Sequence, residues 1–574
     1  MEIARVGLLF ESEPLEQRLQ YGLNVFQRYA EEILAHAGIP FTVIDSQERL
    51  SEFQIVIAGV TRDDADTAES LWRFAENGGV LISYRGLNKL AQKLGCVREQ
   101  ASGVGYADLA GPFGIPAKVR YLQAEVWQPG GQAESGAAVR SFGQLRAGKP
   151  DGEPIGPALL SFRVGKGSIH RWAVDIPSTV VAFQQGISPV LDDGVPAKDG
   201  TGAIDDDILK ADDRCEMDWE LDRTATETGE RYYAHPYADY WREAMVGHLL
   251  RTAVEHGWTL PFIDMWPDGV ENVALISLDS DMNLDEAAVT TLEVFREYNV
   301  PTTWCIIEPG FSEAVYAQAK REGHELALHY NALPQDGGTW DSGEFARQFA
   351  YVKDAARLDH VASNKNHYTR LEGWGELFRW CEEHGIEADQ TRGPSKKGNI
   401  GFLFGTCHPY RPIAWFDEKN RFYDVLEIGF LTQDLNHPTL ADDSVVVPFL
   451  EQVRKVRGVA HFLFHHHHIH TKPPVREAVR KVIQEAKKRG FQFWTSRQIN
   501  DWERSRRKLK FVRVSGDGRV EVKADGLIRD TVVWIPAAAA VAGGATEMRY
   551  GVPCLKQVVR ATASGASEPA MAAE

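Results

Sequence analysis

No segment of the 574-residue sequence approaches the ~20 consecutive apolar residues that a membrane-crossing helix needs. The first residues, MEIARVGLLFESEP, carry neither a basic leader nor an apolar run of secretory length, so a cytoplasmic protein is expected. Cysteine is scarce and scattered: six residues, at 96, 215, 305, 381, 407 and 554, show no C-x-x-C spacing, so neither a disulfide framework nor a thiolate zinc site is indicated. Basic residues are outnumbered, 63 Lys plus Arg against 81 Asp plus Glu, for a net charge of −18. No concentrated Lys/Arg stripe offers to neutralise phosphates, which makes nucleic acid and anionic membrane poor partners.

What is present is a globular composition, 43% hydrophobic, in a chain too long for one core. Residues 1 to 100 alternate strand and helix signals: RVGLLF, AEEILAHAG, FTVID, FQIVIAG, ADTAESLWRFAENGG and VLISY. That alternation argues for a parallel sheet with helices on both faces. Over this stretch the pattern resembles the class I glutamine amidotransferase-like, flavodoxin-type fold. The turn where catalytic members of that class carry a cysteine reads Tyr84, Arg85, Gly86, so the resemblance implies a binding or assembly domain without the nucleophile. The island ALLSFRVGKGSIHRWAVDI reads as a hairpin around Gly-Lys-Gly that returns to this first domain. The acidic tract DDDILKADDRCEMDWELD has the composition of a cation site, but such runs are more often solvated loops, and it is read as one. The expected division is 1–260 for the first domain with its insertion, 270–506 for a second α/β domain, 507–560 for a small β module, and 561–574 for a disordered tail poor in large apolar residues.

The second domain collects the chemistry. In parallel α/β folds the C-terminal ends of the strands form the rim that carries the site. NVALISLDSD ends in Asp279 and Asp281, HELALHY in His329, HVASNKNHY in His367, and GIEADQ carries Asp389. GVAHFLFHHHHIH reaches His465 at the end of its apolar stretch; six of the chain's 18 histidines lie in 461–470. Singly, each has a structural role open to it: a helix cap for the carboxylates, a satisfied core position for a histidine. Their convergence on one rim is the argument for a site. One carboxylate plus two imidazoles with open positions suits zinc, and also cobalt, nickel or iron. A second carboxylate, Asp279, is then placed to take a water's proton and His465 to protonate a leaving group. His466, His467, His468 and His470 run into TKPPVREAVRKVI, where prolines open a helix; loop positions, with one or two touching substrate, are expected for them.

These residues resemble the NodB-homology polysaccharide deacetylases of carbohydrate esterase family 4 over 272–505. SLDSD looks like the first motif in its D-x-D form, which implies that Asp279 is the base and Asp281 a metal ligand. GHELALH looks like the second motif, which makes His329 a ligand. Leu333 stands where a partner histidine is usual, and His367 is the replacement. The arginine that usually orients the base is missing, with Lys365 or Arg370 as substitutes, and Asp389 occupies the place of the fourth motif's acid. FLFH looks like the fifth motif, with His465 as general acid. Asp389, Arg370 and, from the insertion GFLFGTCHPYRP, His408 and Arg411 are the expected substrate contacts, with core packing of Phe402 and Phe404 equally open.

The resulting expectation is a distorted (β/α) barrel of the NodB type holding a divalent metal, most simply Zn2+, that removes an N- or O-acetyl group from a carbohydrate. A non-sugar C–N hydrolase and a non-catalytic assembly protein are the alternatives. Self-association is expected by analogy with amidotransferase-like domains.

Overall fold

The run NVALISLD folds as the strand Asn272–Asp279, buried at every position, as a parallel strand covered on both faces should be. The structure is a computed structural model and describes residues 2–130, 139–195, 197–201, 207–515, 518–523, 530–537 and 545–559. Among these, Asn272–Asp279 lies in the middle of a nine-stranded sheet whose paired strands all run parallel. The spatial order is Leu426–Glu427, Ala388–Asp389, Ser363–Asn366, Glu325–Tyr330, Thr303–Ile306, Asn272–Asp279, Val459–His465 and Thr432–Gln433. Phe491–Phe493 pairs with the start of Asn272–Asp279. This order follows the chain around a circle, and only residues 428–431 separate the two end strands. The result is an incomplete parallel barrel, open between Glu427 and Thr432.

A second nine-stranded sheet is built from residues up to 172. Thr42–Ile44, Val6–Phe10, Ile55–Val60, Val80–Tyr84 and Gly167–Trp172 run parallel. Pro154–Val164, Val139–Ala147, Gly105–Asp108 and Lys118–Tyr121 continue it antiparallel. The parallel sheet expected here is therefore half of a mixed one. Tight hairpins can extend a sheet only in the antiparallel sense, and the Gly-Lys-Gly turn is such a hairpin.

The seam between the two sheets is the helix Tyr237–Glu255, buried on nearly every face. Its Trp241 Nε1 donates to the Arg120 carbonyl at 2.8 Å, while Asp239 accepts from Thr406 Oγ1 at 2.6 Å and the Cys407 amide at 3.0 Å. One continuous apolar cluster runs from Ala4 through this helix to Phe493 and beyond. Near the chain's end, Thr531–Pro536, Val552–Val559 and Thr546–Arg549 form an antiparallel sheet that Phe262–Ile263 joins. The tail 561–574 lies outside the described residues.

The acidic tract does not behave as a solvated loop: Asp212, Asp213 and Asp222 are buried. Asp222 accepts from Tyr106 and Tyr237 hydroxyls at 2.8 and 3.1 Å. Asp213 accepts the Gly194 and Lys210 amides at 2.9 and 2.7 Å, and Asp212 holds Ser395 and Asn399 of a barrel loop. Carboxylates buried with donors of the same chain are structural ties.

A further tie is ionic. Arg507 grips Glu32 of the first sheet's helical layer at 2.6 and 2.8 Å, and shares Glu503 with Arg506. Glu32, Glu503 and Arg506 are buried and Arg507 is mostly so. Glu32→Ala, which leaves Arg507 with Glu503 as its remaining carboxylate, is expected to cost about 1–3 kcal/mol, read as a fall in the urea midpoint of the first unfolding transition.

Candidate active site

Parallel register levels the ends of the barrel strands, and this sets the site. Asp279 is the register partner of His465, and His329 that of Lys365. Above them opens a cleft of about 510 Å3 lined by Asp279, Asp281, Lys365, His367, Asp434, His465 and His468 among others.

Three side chains converge as a candidate ligand set. His329 Nε2 lies 3.3 Å from Asp281 Oδ1, and His367 Nδ1 lies 3.5 Å from the same oxygen and 3.2 Å from His329 Nε2. His329 Nδ1–H donates to the Lys365 carbonyl at 3.0 Å. That bond places the proton on Nδ1 and leaves Nε2 as a bare lone pair toward Asp281, the arrangement of a metal-ligating histidine. Asp281 Oδ1 is shielded from solvent with no hydrogen-bond donor aligned on it. An orphaned carboxylate oxygen beside two imidazole nitrogens, all within 4.8 Å of one another, fits a divalent cation. Burial works against ionised Asp281, while the charge of His465 facing it favours the ionised form, and the carboxyl stands well below the usual range.

Asp279 is buried beside this set, its Oδ2 3.6 Å from His329 Nε2. Lys365 Nζ donates to Asp279 Oδ1 at 3.0 Å and to Ser277 Oγ at 2.6 Å. Ser277 Oγ in turn meets His461 Nε2 at 2.8 Å. Lys365, rather than Arg370, therefore orients the candidate base. Strand alternation accounts for the choice: Lys365 points to one face, while Asn364 and Asn366 point to the other, toward Asp389 and the Arg370 carbonyl.

On the opposite wall His465 Nδ1–H donates to Asp434, whose other oxygen accepts the His465 amide at 2.9 Å. His468 Nδ1 also donates to Asp434, at 2.8 Å. His465 Nε2 faces Asp281 Oδ2 at 3.4 Å. Burial alone would lower the His465 imidazole, but Asp434 and Asp281 outweigh it and raise the group to about 10. Burial likewise opposes the Asp434 charge, and His465 and His468 prevail, holding that carboxyl well below the usual range.

The histidine run is a helix, His466–Thr471, with His465 as its N-cap. Residues three apart share a helix face, so His465 and His468 reach the same carboxylate. His466 turns inward against Trp304, with ring centroids 4.3 Å apart, and bonds Thr291 at 3.1 Å. His470 bonds Thr290 at 2.8 Å. A loop of solvated histidines is thus replaced by a sorted set, one lining the cleft and two holding the neighbouring helix.

Four expected substrate contacts lie elsewhere. Asp389 is fully buried, accepting from Asn364 at 2.8 Å and Thr391 at 2.9 Å, and burial pushes its carboxyl up. Its register partners Asn364 and Glu427 put its side chain on the face of the sheet opposite to Lys365, away from the cleft. Arg370 turns from the cleft to Glu372 and the Ala332 carbonyl. His408 is buried in the seam, its Nε2 on the Val456 carbonyl at 2.8 Å and its ring 5.1 Å from His36. Arg411 pairs with Asp424 at 3.0 Å. The insertion 401–412 packs core, with Phe402 and Phe404 buried, because it must close the barrel against the buried helix. Asp434 was missed by sequence reasoning. Its signal is an acid directly after the apolar GFLTQ, the pattern that marked Asp279, on a strand of only two residues.

No protein-family model matches the chain, and no curated protein matches it. Solved structures similar to part of it include polysaccharide deacetylases. A candidate polysaccharide deacetylase from Mycobacterium smegmatis is 16% identical, with 42% of this chain and 92% of that one covered and a TM-score of 0.32. A family 4 acetyl xylan esterase from Clostridium thermocellum, in complex with a cobalt ion, is 15% identical over 40% of this chain and 90% of that one, with a TM-score of 0.23. A beta-galactosidase from Bacillus circulans sp. alkalophilus is 17% identical over 36% of this chain and 34% of that one, with a TM-score of 0.24. Scores this low leave the fold to its own topology and the chemistry to the site.

Protein loaded with Zn2+ and desalted is expected to retain about one equivalent per chain. Asp281→Ala and His367→Ala should lose it and His408→Ala keep it, by elemental analysis; retention in His367→Ala would remove that residue from the ligand set.

Proposed function

We propose that the chain is a metal-dependent hydrolase that removes an acetyl group from the nitrogen or oxygen of a carbohydrate. The observation that carries this reading is the flanking of a three-donor metal set by two differently tuned pairs, Lys365–Asp279 on one side and Asp434–His465 on the other. Asp281, His329 and His367 would hold the cation. When bound, a divalent metal supplies Lewis acidity toward the acyl carbonyl and acidifies a water.

The chain's own residues divide the proton work. Lys365 occupies Asp279 Oδ1, which leaves Oδ2 to take a proton from the attacking water. Asp434 anchors His465 through Nδ1 and so aims Nε2–H across the cleft, where it protonates the departing amine or alcohol. Acid and base are held apart by the ligand set, so neither neutralises the other. The division into 1–260, 270–506 and 507–560 and the self-association belong to the same proposal. Among the described residues no helix is long and apolar enough to cross a membrane.

Asp279→Asn should retain zinc and lose about 10²–10⁴-fold in turnover of N-acetylated sugars; undiminished turnover would remove Asp279 as the base. His465→Ala should lose a similar factor on acetamides but little on 4-nitrophenyl acetate, whose leaving group departs without a proton. Equal losses on both substrates would show that His465 does not act as an acid. A chain that binds no metal and hydrolyses neither substrate would favour the assembly-protein reading.

A further inference from the structure

Tyr368, which follows the candidate ligand His367, is 52% exposed between two buried neighbours, His367 and Thr369, and it lines the cleft. Its backbone is left-handed, with φ at 57°, and Thr369 follows with φ at 54°. Such backbone is strained for any residue that carries a side chain, most of all a bulky or β-branched one. Thr369 is the one β-branched residue with positive φ among the described residues, and its buried hydroxyl has no partner that would offset the strain. The surroundings enforce this turn. Asn366 Nδ2 donates to the Arg370 carbonyl at 2.8 Å and the Arg370 amide to the His367 carbonyl at 3.2 Å, which closes the chain around Tyr368. Just beyond, the Leu371 amide donates to the Leu209 carbonyl at 3.0 Å, and Gly373 exchanges two main-chain bonds with Val190, each at 2.8 Å. The segments at 190 and 209, from the first part of the chain, thus hold the turn beside the ligand set. Backbone strain that a fold over-determines in this way gathers at ligand sites.

What the turn achieves is the placement of one ring. Tyr368 stands edge-on to the His367 imidazole, with ring centroids 4.7 Å apart and planes at 82°. The imidazole braces the phenol ring, and about half of the side chain's surface stays open to a ligand. The faces of an aromatic ring carry negative partial charge. The C–H groups on one face of a pyranose offer the complementary surface, flat, apolar and slightly positive. Resting on the hydrolase reading above, we infer that Tyr368 is the stacking platform for a pyranose ring of the substrate, and that the strained turn at 368–369 serves to present it. The cleft, at about 510 Å3, has room for that ring beside the ligand set.

The test compares zinc-loaded full-length protein with its Tyr368→Ala, Tyr368→Trp and Tyr368→Gly variants. N,N′-diacetylchitobiose is the sugar probe and vinyl acetate a ring-free acyl probe. Tyr368→Ala should lower the ratio of kcat/KM on the sugar to that on vinyl acetate about tenfold, through KM rather than kcat. Tyr368→Trp, which keeps an aromatic face, should hold that ratio within about threefold. Calorimetry with the sugar in the Asp279→Asn background should show the same tenfold loss for Tyr368→Ala. Tyr368→Gly, for which a left-handed turn is unstrained, should unfold at a higher urea midpoint than Tyr368→Ala. The inference is overturned by sugar binding or a turnover ratio that Tyr368→Ala leaves unchanged, by an equal loss in Tyr368→Trp, by equal midpoints of the Gly and Ala variants, or by the absence of sugar binding altogether. Loss of zinc in Tyr368→Ala overturns it too, for Tyr368 would then act only as a support for His367. Sugar binding that depends on Tyr368 in a protein without turnover sinks the hydrolase and leaves the platform. Sugar turnover indifferent to Tyr368 sinks the platform and leaves the hydrolase.

Discussion

The hydrogen bond from His329 Nδ1 to the Lys365 carbonyl is the interaction on which the site turns. It exists because the two residues are register partners on adjacent parallel strands. It puts the imidazole proton on the side away from the cleft, so that Nε2 meets Asp281 and His367 as a lone pair. The same residue that supplies the carbonyl sends its side chain to Asp279. One strand position therefore sets both the tautomer of a candidate ligand and the orientation of the candidate base. Any change in the pairing of the Ser363–Asn366 strand would misplace both.

Beneath that floor the barrel interior is polar in a disciplined way. Lys365, Ser277 and His461 form a buried chain that ends on the Ile428 carbonyl. On the opposite face of the same strands, Asp389 and Glu427 form a second buried group with Asn364 and Thr391. Buried polar groups that satisfy one another cost little and fix rotamers, whereas a half-satisfied network would be destabilising. Asp281 Oδ1 is one of several buried atoms without an aligned partner, and it faces the cleft between two imidazoles. A stable fold tolerates such an orphan where a ligand completes it.

The two sheets are not independent pieces. The helix Tyr237–Glu255 is buried by both, Glu32 and Arg507 are joined across them, and Asp212 ties the insertion to the loop that carries Lys396 and Lys397. Lys210, in the segment that follows the first sheet, borders the barrel's cleft.

The barrel strands were legible because a continuous apolar run that stops at Asp or His suits a buried parallel strand and little else, and the proximity of the candidate ligands Asp281, His329 and His367 followed from their shared rim. Asp434 was illegible because its strand is two residues long and carries no periodicity. Its partner His468 was hidden in a run whose helical spacing only folding reveals. Asp389 and Arg370 misled because a residue at a strand end can point to either side, and a one-residue difference in strand length reverses the choice. His408 and Arg411 misled because aromatic and basic residues suit a sugar or a seam equally well, and burial decides between them. Sequence alone thus determined the long buried strands and the chemical groups that end them, since hydrophobic pattern is local. Tertiary structure decided which groups face each other, because register, side-chain alternation and the insertion's reach across the cleft are properties of segments hundreds of residues apart.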